Sequence, residues 1–341
     1  MQIRRAREQD VPAIGTIINA AAQAYRGVIP ADRWHEPYMP MEELVREIAD
    51  GVEFWVVEAD GAGGILAAMG LQNKGMVSLV RHAYTDPASQ GGGLGTHLLR
   101  HIEQLSDKPI LIGTWAAADW AIRFYERNGF TVVADAEKEL LLRTFWSIPD
   151  RQVATSVVLA DRRWLQSRGT LMAPTDLLRL AVEMATPLLV AMTEEESLRA
   201  RQPGAWTPRQ IIGHLIDSAC NNHPRFVRAQ FIDDLVFTGY DQEAWVSAQR
   251  YDDAAWPDLV TLWRAYNRHL ARVIALIPAD VLARPRVKHN LDQLAWRQVP
   301  RDQPTTLEYF IRDYIGHLEN HLTQVLADYS PVSFTFARAS R

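Results

Sequence analysis

The stretch 76–101 constrains the fold most, because it reads as a strand, a glycine-rich loop and a helix in direct succession. Residues 76–84 are apolar and partly β-branched, as in a buried strand. The loop glycines are Gly91, Gly92, Gly93 and Gly95. Their backbone can adopt positive φ and direct several N–H groups at one point, and a helix over 95–105 would add its unpaired first-turn donors. The pattern predicts a seat for phosphate or pyrophosphate.

A second motif makes this prediction more specific. The loop is neither G-x-G-x-x-G nor a P-loop, since no Lys-Ser/Thr follows it, and a glycine run alone is also common in ordinary loops. Gln90, Gly93 and Gly95 fit Q/R-x-x-G-x-G, and about thirty residues later comes AIRFYERNGF at 121–130. In this order and spacing, the two motifs resemble those of the GNAT N-acetyltransferases.

The resemblance implies an acetyl-CoA-dependent acyltransferase that acts on a small-molecule amine. Backbone groups near residue 83 would hold the pantetheine arm, and the phenol of Tyr125 would protonate the departing thiolate as general acid. The implied coenzyme-binding residues are Ala83, Thr85, Gln90, Gly91, Gly92, Gly93, Gly95 and Thr96. Outside this motif, a tyrosine on an amphipathic helix is more often a core residue.

The chain also departs from the family pattern. Gln90 stands where arginine is common, and glycines occupy neighbouring positions that often carry charge, so phosphate binding would depend on the backbone. Ala118 replaces an asparagine that many relatives have at the start of the tyrosine-bearing helix. Strand alternation would place Leu79 and Arg81 on the acceptor face and His82 on the other, where it would be structural. The general base is therefore unassigned.

Periodicity predicts a mixed α/β sheet for the first 161 residues. Predicted strands cover residues 3–7, 54–58, 65–71, 76–84, 110–115, 131–133 and 153–159, with a glycine-rich hairpin turn at 60–64. Predicted helices cover 10–22, 43–49, 95–105, 120–128 and 137–144. Residues 25–40, rich in proline and aromatics, predict a loop over the site, whose Asp32, His35 and Glu36 either orient an acceptor or are simply solvated. The pair His97 and His101 is expected to be solvated.

A chain of 341 residues predicts about two domains. The segment 162–173 is polar, arginine-rich and aperiodic, so we place a linker there, between an α/β domain at 1–161 and a helical domain at 174–330, with a tail at 331–341. Long helices are predicted over 177–192, bent or divided at Pro187, and over 207–231, 259–277 and 306–328. Capping boxes at 207–210 and 305–308 support the prediction of the second and fourth of these helices. Such helices imply an all-α four-helix bundle with a long crossover between the second and third.

Three histidines of this bundle form a candidate metal site. His317 and His321 lie four residues apart and so share one helix face, and His214 on the second helix could complete the set. Three imidazoles would leave positions open for water or substrate. Alternatively, each histidine packs or caps individually. Asp217 could accept an N–H from a ligand or form a salt bridge, whereas His223, His269 and His289 lack a partner at ligand spacing.

Around these histidines, IIGHLIDS at 211–218 and YIGHLENH at 314–321 resemble the DinB-like bundles of metal-dependent hydrolases and thiol transferases. The resemblance covers about residues 173–329 and implies a divalent metal, Zn, Ni or Fe, on His214, His317 and His321. It also implies hydrolase or thiol-transferase chemistry, the latter with a low-molecular-weight thiol as partner. The alternative is a bundle that serves only for interaction or homodimerisation. A further alternative is that the first domain is an acyl-CoA sensor, since its base is missing.

The composition of the chain limits the classes of partner that we expect it to bind. A formal charge of −5 gives no sign of nucleic-acid binding, and no segment predicts a signal peptide or a membrane span. Cys220 is the sole cysteine, which excludes an internal disulfide and fits a cytoplasmic protein.

Overall fold

A computed structural model describes residues 1–60 and 64–333 of the chain. Contacts divide the chain into two compact units, Met1–Ser167 and Arg168–Arg341. The division falls inside the segment predicted as a linker, and the domain limits given above stay a prediction. The predicted turn at 60–64 and the predicted tail at 331–341 lie partly outside the described residues.

Unit 1 is built on a seven-stranded mixed sheet. Its strands are β1 (Gln2–Arg5), β2 (Val52–Glu58), β3 (Ile65–Asn73), β4 (Ser78–Thr85), β5 (Ile110–Trp115), β6 (Thr131–Val132) and β7 (Ser156–Ala160). They lie in the order β1-β2-β3-β4-β5-β7-β6. All neighbours are antiparallel except β4 and β5, which are parallel. The predicted α/β class of this half is confirmed.

Helices cover both faces of the sheet. They are α1 (Val11–Ala22), α2 (Met41–Ala49), α3 (Leu94–Leu105), α4 (Asp119–Arg127), α5 (Asp135–Phe145) and α6 (Asp150–Ala154), with single 3₁₀ turns at Gln23–Tyr25, Ala31–Arg33 and Pro87–Ser89. Because side chains alternate along β2, Val56 packs with α1 and α2 while Val57 packs with α3. The loop predicted at 25–40 contains only the second of these turns in full.

One sequence prediction in this region is wrong. The strand predicted at 153–159 begins only at Ser156, because Val153 belongs to α6. The segment predicted as a linker, which the sequence shows as aperiodic, contains a helix, α7 (Arg162–Leu171). Its start is fixed by Asp161, whose Oδ1 accepts the Trp164 backbone N–H at 2.9 Å. The Trp164 indole is buried and donates to Glu137 Oε1 at 2.8 Å, a contact too distant in sequence to be read from local periodicity.

The regular elements in the described part of unit 2 are helices, and two isolated β-bridges join the segments between them. Its helices after α7 are α8 (Pro174–Ala191), α9 (Glu194–Ser197), α10 (Pro208–Arg228), α11 (Gln242–Gln249), α12 (Trp256–Ala275), α13 (Ala279–Ala283), α14 (Leu291–Leu294) and α15 (Leu307–Val325). The four long helices pack in a closed ring in which α8 contacts α12 and α15, and α10 contacts the same two helices. The predicted four-helix bundle is confirmed. A 3₁₀ turn at Tyr251–Asp253 lies in the crossover from α10 to α12.

Local signals explain most helix limits of the bundle. Thr207 and Gln210 form the predicted capping box. At the fourth long helix the cap is Thr306, which accepts the Tyr309 N–H, and Glu308 pairs with Arg312 rather than closing a box. The first long helix runs through Pro187 without division. No helix in the described ranges combines the length and the apolar character that a membrane crossing requires.

Candidate active site and candidate metal centre

The sheet of unit 1 opens between β4 and β5. These strands pair only over Ser78–Val80 and Ile110–Ile112, although β4 continues to Thr85 and β5 to Trp115. Beyond the pairing, the edge of β4 that faces β5 has no strand partner among the described residues. Unpaired backbone groups of this kind can bind an extended ligand as an added strand would be bound. Ala83 and Thr85, predicted to hold the pantetheine arm, lie on this part of β4.

The glycine loop follows directly at the open end of β4. Gly91 has φ 84° and Gly93 has φ 76°, so both adopt the left-handed conformation that favours glycine. Gly93 is the N-cap of α3, and no described side chain caps this helix. A Cβ atom on Gly91 or Gly93 would meet no described atom within 4 Å, so the loop borders open space. The N–H groups of the first turn, which includes Thr96, are therefore available to an anion.

The side chains of Gln90 and Phe124 contact this loop. Gln90 donates from Nε2 to the Thr85 carbonyl at 3.4 Å, so it holds the loop to the end of β4. A Cβ on Gly95 would lie 3.3 Å from the Phe124 ring and 3.7 Å from Thr85 Oγ1, which indicates close packing of α3 against α4 at this point. The loop offers backbone donors rather than a side-chain cation, as the sequence predicts.

Tyr125 lies on α4 and packs edge-on against Phe124 and Phe130. Burial raises the pKa of its phenol well above the usual value, and interaction with Tyr25 adds to the effect. The proton therefore stays on the oxygen at neutral pH. No described residue hydrogen-bonds this hydroxyl, so it remains free to donate to a ligand. Ala118 begins α4 as its N-cap without a side-chain hydrogen bond.

A cavity of about 650 Å³ lies beside this open edge. Its walls combine aromatic side chains, among them Tyr25, Tyr38 and Tyr84, with the carboxylates of Glu43, Glu47 and Asp50 along one side of α2 and at its end. Burial raises the pKa of Tyr84, and the nearby hydroxyls of Tyr25, Tyr38 and Tyr125 raise it further, so the four phenols form one cluster. The size suits a small organic molecule.

A β-bulge corrects the predicted orientation of His82. Gly70 pairs with Arg81 and Ala68 with Tyr84, so β4 carries one extra residue here, and His82 has φ 49°. Strand alternation is lost, and Arg81 and His82 both reach Glu47 and both line the cavity. The side chain of Leu79, which was expected on the acceptor face, is fully buried.

The remaining polar candidates of unit 1 occupy varied positions. Asp32 and His35 line the cavity, and Asp32 pairs with Arg151 at 3.0 Å, whereas Glu36 lies 4.0 Å from the guanidinium of Arg26. The His101 ring packs on Trp55, and His97 is exposed. The sequence could not have singled out Glu47, because its neighbours in space come from β4, about 35 residues away.

In unit 2, α10 and α15 bring His214, His317 and His321 together. One ring nitrogen of each lies within 4.8 Å of those of the other two. Nε2 of His214 is 3.3 Å from Nε2 of His317. Within the described ranges this is the only such group of at least three histidine, cysteine or carboxylate side chains. The sequence spacing thus predicted a proximity that the structure contains.

Several contacts prepare these rings as ligands. His321 donates from Nδ1 to Gln324 Oε1 at 3.0 Å, which leaves its Nε2 for a ligand bond. The ring of Trp206 packs on His214, and that of Trp296 on His317. Burial lowers the pKa of His214 to about 4, with a further contribution from His321. Burial also lowers the pKa values of His317 and His321, so all three rings are neutral near pH 7.

The closest nitrogen pair of the triad has the spacing of two zinc ligands, and all three nitrogens lie within 4.8 Å of one another. Two imidazole nitrogens on a tetrahedral zinc ion, each at ~2.0–2.1 Å, lie roughly 3.3–3.4 Å apart. The distance between the His214 and His317 nitrogens is 3.3 Å. Neutral imidazoles suit Zn, Ni and Fe(II) alike. A cavity of about 540 Å³ adjoins the triad, since its wall contains Trp206 and Gln324.

The other polar candidates of unit 2 make contacts of their own. Asp217 Oδ1 accepts hydrogen bonds from Tyr251 and Gln249 at 2.7 Å each, and no contact with a triad histidine is seen in the described residues. His289 uses both ring nitrogens on the backbone. His223 and His269, which have no partner at ligand spacing in the sequence, have ring centroids 4.9 Å apart, because they lie on facing helices α10 and α12.

Because the three histidines are neutral in the fold, we expect the metal-free protein to lose stability against unfolding as the pH falls. The pKa of His214 is about 4 in the fold and about 6.5 in the unfolded chain, so its contribution is fully present above pH 6.5 and is lost as the pH falls. Near pH 5 the loss amounts to about 2 kcal/mol. Melting of EDTA-treated protein near pH 8 and pH 5 should show a smaller acid shift for His214→Leu than for the wild type. Equal shifts would contradict the assignment.

Comparison with family models agrees with this division of the chain. Residues 50–132 match the model of the acetyltransferase (GNAT) domain, and residues 177–325 match the model of the DinB superfamily. Both resemblances stated from the sequence are confirmed. No curated protein matches the sequence.

Two solved structures are each similar to just under half of the chain. The PaiA N-acetyltransferase from Thermoplasma acidophilum, in complex with coenzyme A, is 17% identical, and the match covers 47% of this chain and 97% of that one, with a TM-score of 0.37. YfiT from Bacillus subtilis, described as a probable metal-dependent hydrolase with an unusual four-helix bundle topology, is 18% identical. That match covers 45% of this chain and 81% of YfiT, with a TM-score of 0.38.

Proposed function

We propose that unit 1 transfers an acetyl group from acetyl-CoA to the amine of a small molecule, and that unit 2 binds a divalent metal ion. The single observation that carries the first proposal is the uncapped α3 N-terminus behind two glycines of positive φ, placed at the end of a strand edge without a partner. The match of residues 50–132 to the model of the acetyltransferase (GNAT) domain supports this class of reaction.

In the proposed complex, the N–H groups of residues 91–96 bind the diphosphate of the coenzyme, and the dipole of α3 adds to the attraction. The pantetheine arm lies along residues 83–85 of β4, in the opening toward β5. A backbone N–H near the bulge then donates to the thioester carbonyl oxygen and stabilises the negative charge that develops there. The thioester carbon would face the tyrosine cluster of the cavity.

Transfer needs an attacking amine and an acid for the thiolate. The amine nitrogen attacks the carbonyl carbon, the carbon–sulfur bond breaks, and the sulfur takes the phenolic proton of Tyr125. The nitrogen loses a proton as the amide forms, and a proton returns to the phenol of Tyr125 through solvent, so the products are an acetamide and the free thiol. The aromatic walls and α2 carboxylates of the cavity favour an amine with an apolar body. A suitable panel is phenethylamine, tryptamine, agmatine and spermidine.

Tyr125→Phe should lower kcat by about 100-fold, because the departing thiolate loses its proton donor. The dissociation constant for coenzyme A should stay the same, since the phenol contacts neither the diphosphate nor the pantetheine backbone. Thiol release from acetyl-CoA measures the rate, and Tyr309→Phe in unit 2 serves as the matched control. An unchanged kcat in Tyr125→Phe would remove the proposed role.

For unit 2, the proposed ligands are His214, His317 and His321. When bound, the metal ion would lower the pKa of a water or thiol and so make a nucleophile near neutral pH. Gln324 fixes the ring of His321, and Trp206 shields His214 from solvent on one side. The adjoining cavity would admit the substrate of a hydrolase or thiol transferase.

Two alternatives make different predictions. If unit 2 is only an interaction or dimerisation module, protein purified without an affinity tag will contain no stoichiometric ion even after zinc or nickel is added. If unit 1 is an acyl-CoA sensor, it will bind acetyl-CoA but acetylate no member of the amine panel. The favourable nitrogen spacing and the cavity of unit 1 argue against both.

A further inference from the structure

The proposed transfer leaves one requirement unmet, which is a base for the acceptor. A primary amine is mostly protonated at neutral pH, and an ammonium ion cannot attack a carbonyl carbon. The cavity wall contains a histidine that the mechanism above does not use. His82 has an imidazole side chain, the type whose charge changes most readily near neutral pH.

The backbone of His82 is strained in a way that re-aims its side chain. His82 and Arg250 are the two non-glycine residues of positive φ in the described ranges, and Arg250 ends a helix. His82 instead sits in the bulge of β4, where strand alternation would otherwise turn it away from Arg81. A left-handed backbone disfavours such a residue, and strain of this kind is concentrated at functional sites. Here it brings the imidazole to the cavity.

A half-buried carboxylate accompanies the imidazole. Nε2 of His82 lies 3.3 Å from Oε2 of Glu47, close enough for an ion pair once the ring is protonated, although this nitrogen makes no hydrogen bond in the structure. The side chain of His82 is 13% exposed, and that of Glu47 is 22% exposed. No described residue hydrogen-bonds Nδ1 of His82, which leaves this nitrogen for a substrate in the cavity.

The surrounding charges keep Glu47 ionised. Burial alone would raise its pKa, but the interactions with His82 and with the guanidinium of Arg81 outweigh burial, so the pKa is lowered. Arg81 contacts Glu47 Oε2 at 2.6 Å and also donates to Gln72 on β3. The other charged or ionisable groups that line the cavity are Asp32, Arg33, His35, Glu43, Asp50 and Lys74, together with the phenols of Tyr25, Tyr38 and Tyr84.

We propose that His82 is the base that takes the proton of the acceptor ammonium, and that Glu47 is the positioning residue that orients the ring and stabilises the imidazolium. The inference rests on the proposed acetyl transfer and names the missing base of that site. The ammonium proton passes to Nδ1, the freed nitrogen attacks the thioester carbon, and the sulfur leaves with the proton of Tyr125. The imidazolium then releases its proton to solvent, and the second proton that the nitrogen loses on forming the acetamide restores the phenol of Tyr125.

The test is the pH profile of kcat/KM with acetyl-CoA and the best amine of the panel. His82→Asn suits the left-handed backbone, since asparagine tolerates it. We expect it to lower kcat/KM near pH 7 by about 100-fold and to remove the acid limb of the profile, with affinity for coenzyme A unchanged. Its deficit should shrink as the pH approaches the pKa of the amine, and added imidazole should restore part of the rate.

The variant Glu47→Gln tests whether Glu47 orients the ring of His82 or only stabilises the fold. Without the carboxylate the ring loses its orienting partner, so kcat should fall while affinity for coenzyme A is unchanged, and Glu47→Asp should recover part of the rate. His97→Asn, at an exposed position of α3, should behave as the wild type.

The outcomes are distinguishable. A His82→Asn variant that keeps both its rate and its acid limb, while the wild type acetylates an amine, would overturn the role of His82 and leave acetyl transfer intact. A wild type that binds coenzyme A but acetylates no panel amine would overturn the proposed function itself, and the base with it.

Discussion

Replacing Gly93 with valine should raise the dissociation constant for coenzyme A by about 100-fold, or about 2.7 kcal/mol. Gly93 has φ 76°, which a β-branched residue adopts only with strain, so the loop must change shape. Its N–H groups would then no longer converge on the diphosphate. The new side chain would also occupy the open space where that group is expected to bind. Calorimetry with coenzyme A measures the effect.

Gly75→Val is the matched control. Gly75 also has φ 76°, and a Cβ there likewise meets no described atom within 4 Å, but it lies in the turn between β3 and β4. Both variants therefore suffer the same backbone strain, and only Gly93→Val should lose affinity. Wild-type affinity in both variants would contradict the diphosphate seat, whereas equal losses of affinity in both would indicate general destabilisation.

Replacing His317 with alanine should reduce the metal content of the purified protein from about one ion per chain to almost none. His317 faces His214 across the bundle and shares a helix face with His321, so its loss leaves no three-imidazole set. Removing residues that merely support ligands already lowers metal affinity by about 10–100-fold, and loss of a ligand should cost at least as much. Elemental analysis of untagged protein after dialysis gives the stoichiometry.

His269→Ala is the control for the same unit. His269 is exposed on α12 and packs against His223, outside the triad. It should retain the ion that His317→Ala loses. Loss of the ion in His269→Ala but not in His317→Ala would assign the metal to the other histidine pair. An ion-free wild type would favour an interaction module.

The parts of the structure that sequence predicted well depend on local signals. The strand, loop and helix around Gly93 follow from glycine placement and from hydrophobic period, and α3 (Leu94–Leu105) begins within one residue of its prediction. The long bundle helices follow from periodicity and from the cap at Thr207. His317 and His321 could be paired because a helix places residues four apart on one face.

The parts that failed depend on contacts between distant residues. An extra residue in β4 reverses the side of His82, and nothing in the local sequence specifies a bulge there. The helix at Arg162–Leu171 is anchored by a tryptophan that reaches Glu137. The pairing of His223 with His269 requires knowledge of which helices face each other. Such features follow from tertiary packing.

The most direct measurement is mass spectrometry of the four panel amines after incubation of the full-length protein with acetyl-CoA. We predict that at least one amine gains a single acetyl group, in step with release of coenzyme A thiol, and that Gly93→Val abolishes the product under the same conditions. Wild-type protein that binds acetyl-CoA yet leaves every amine unmodified would contradict acetyl transfer by unit 1.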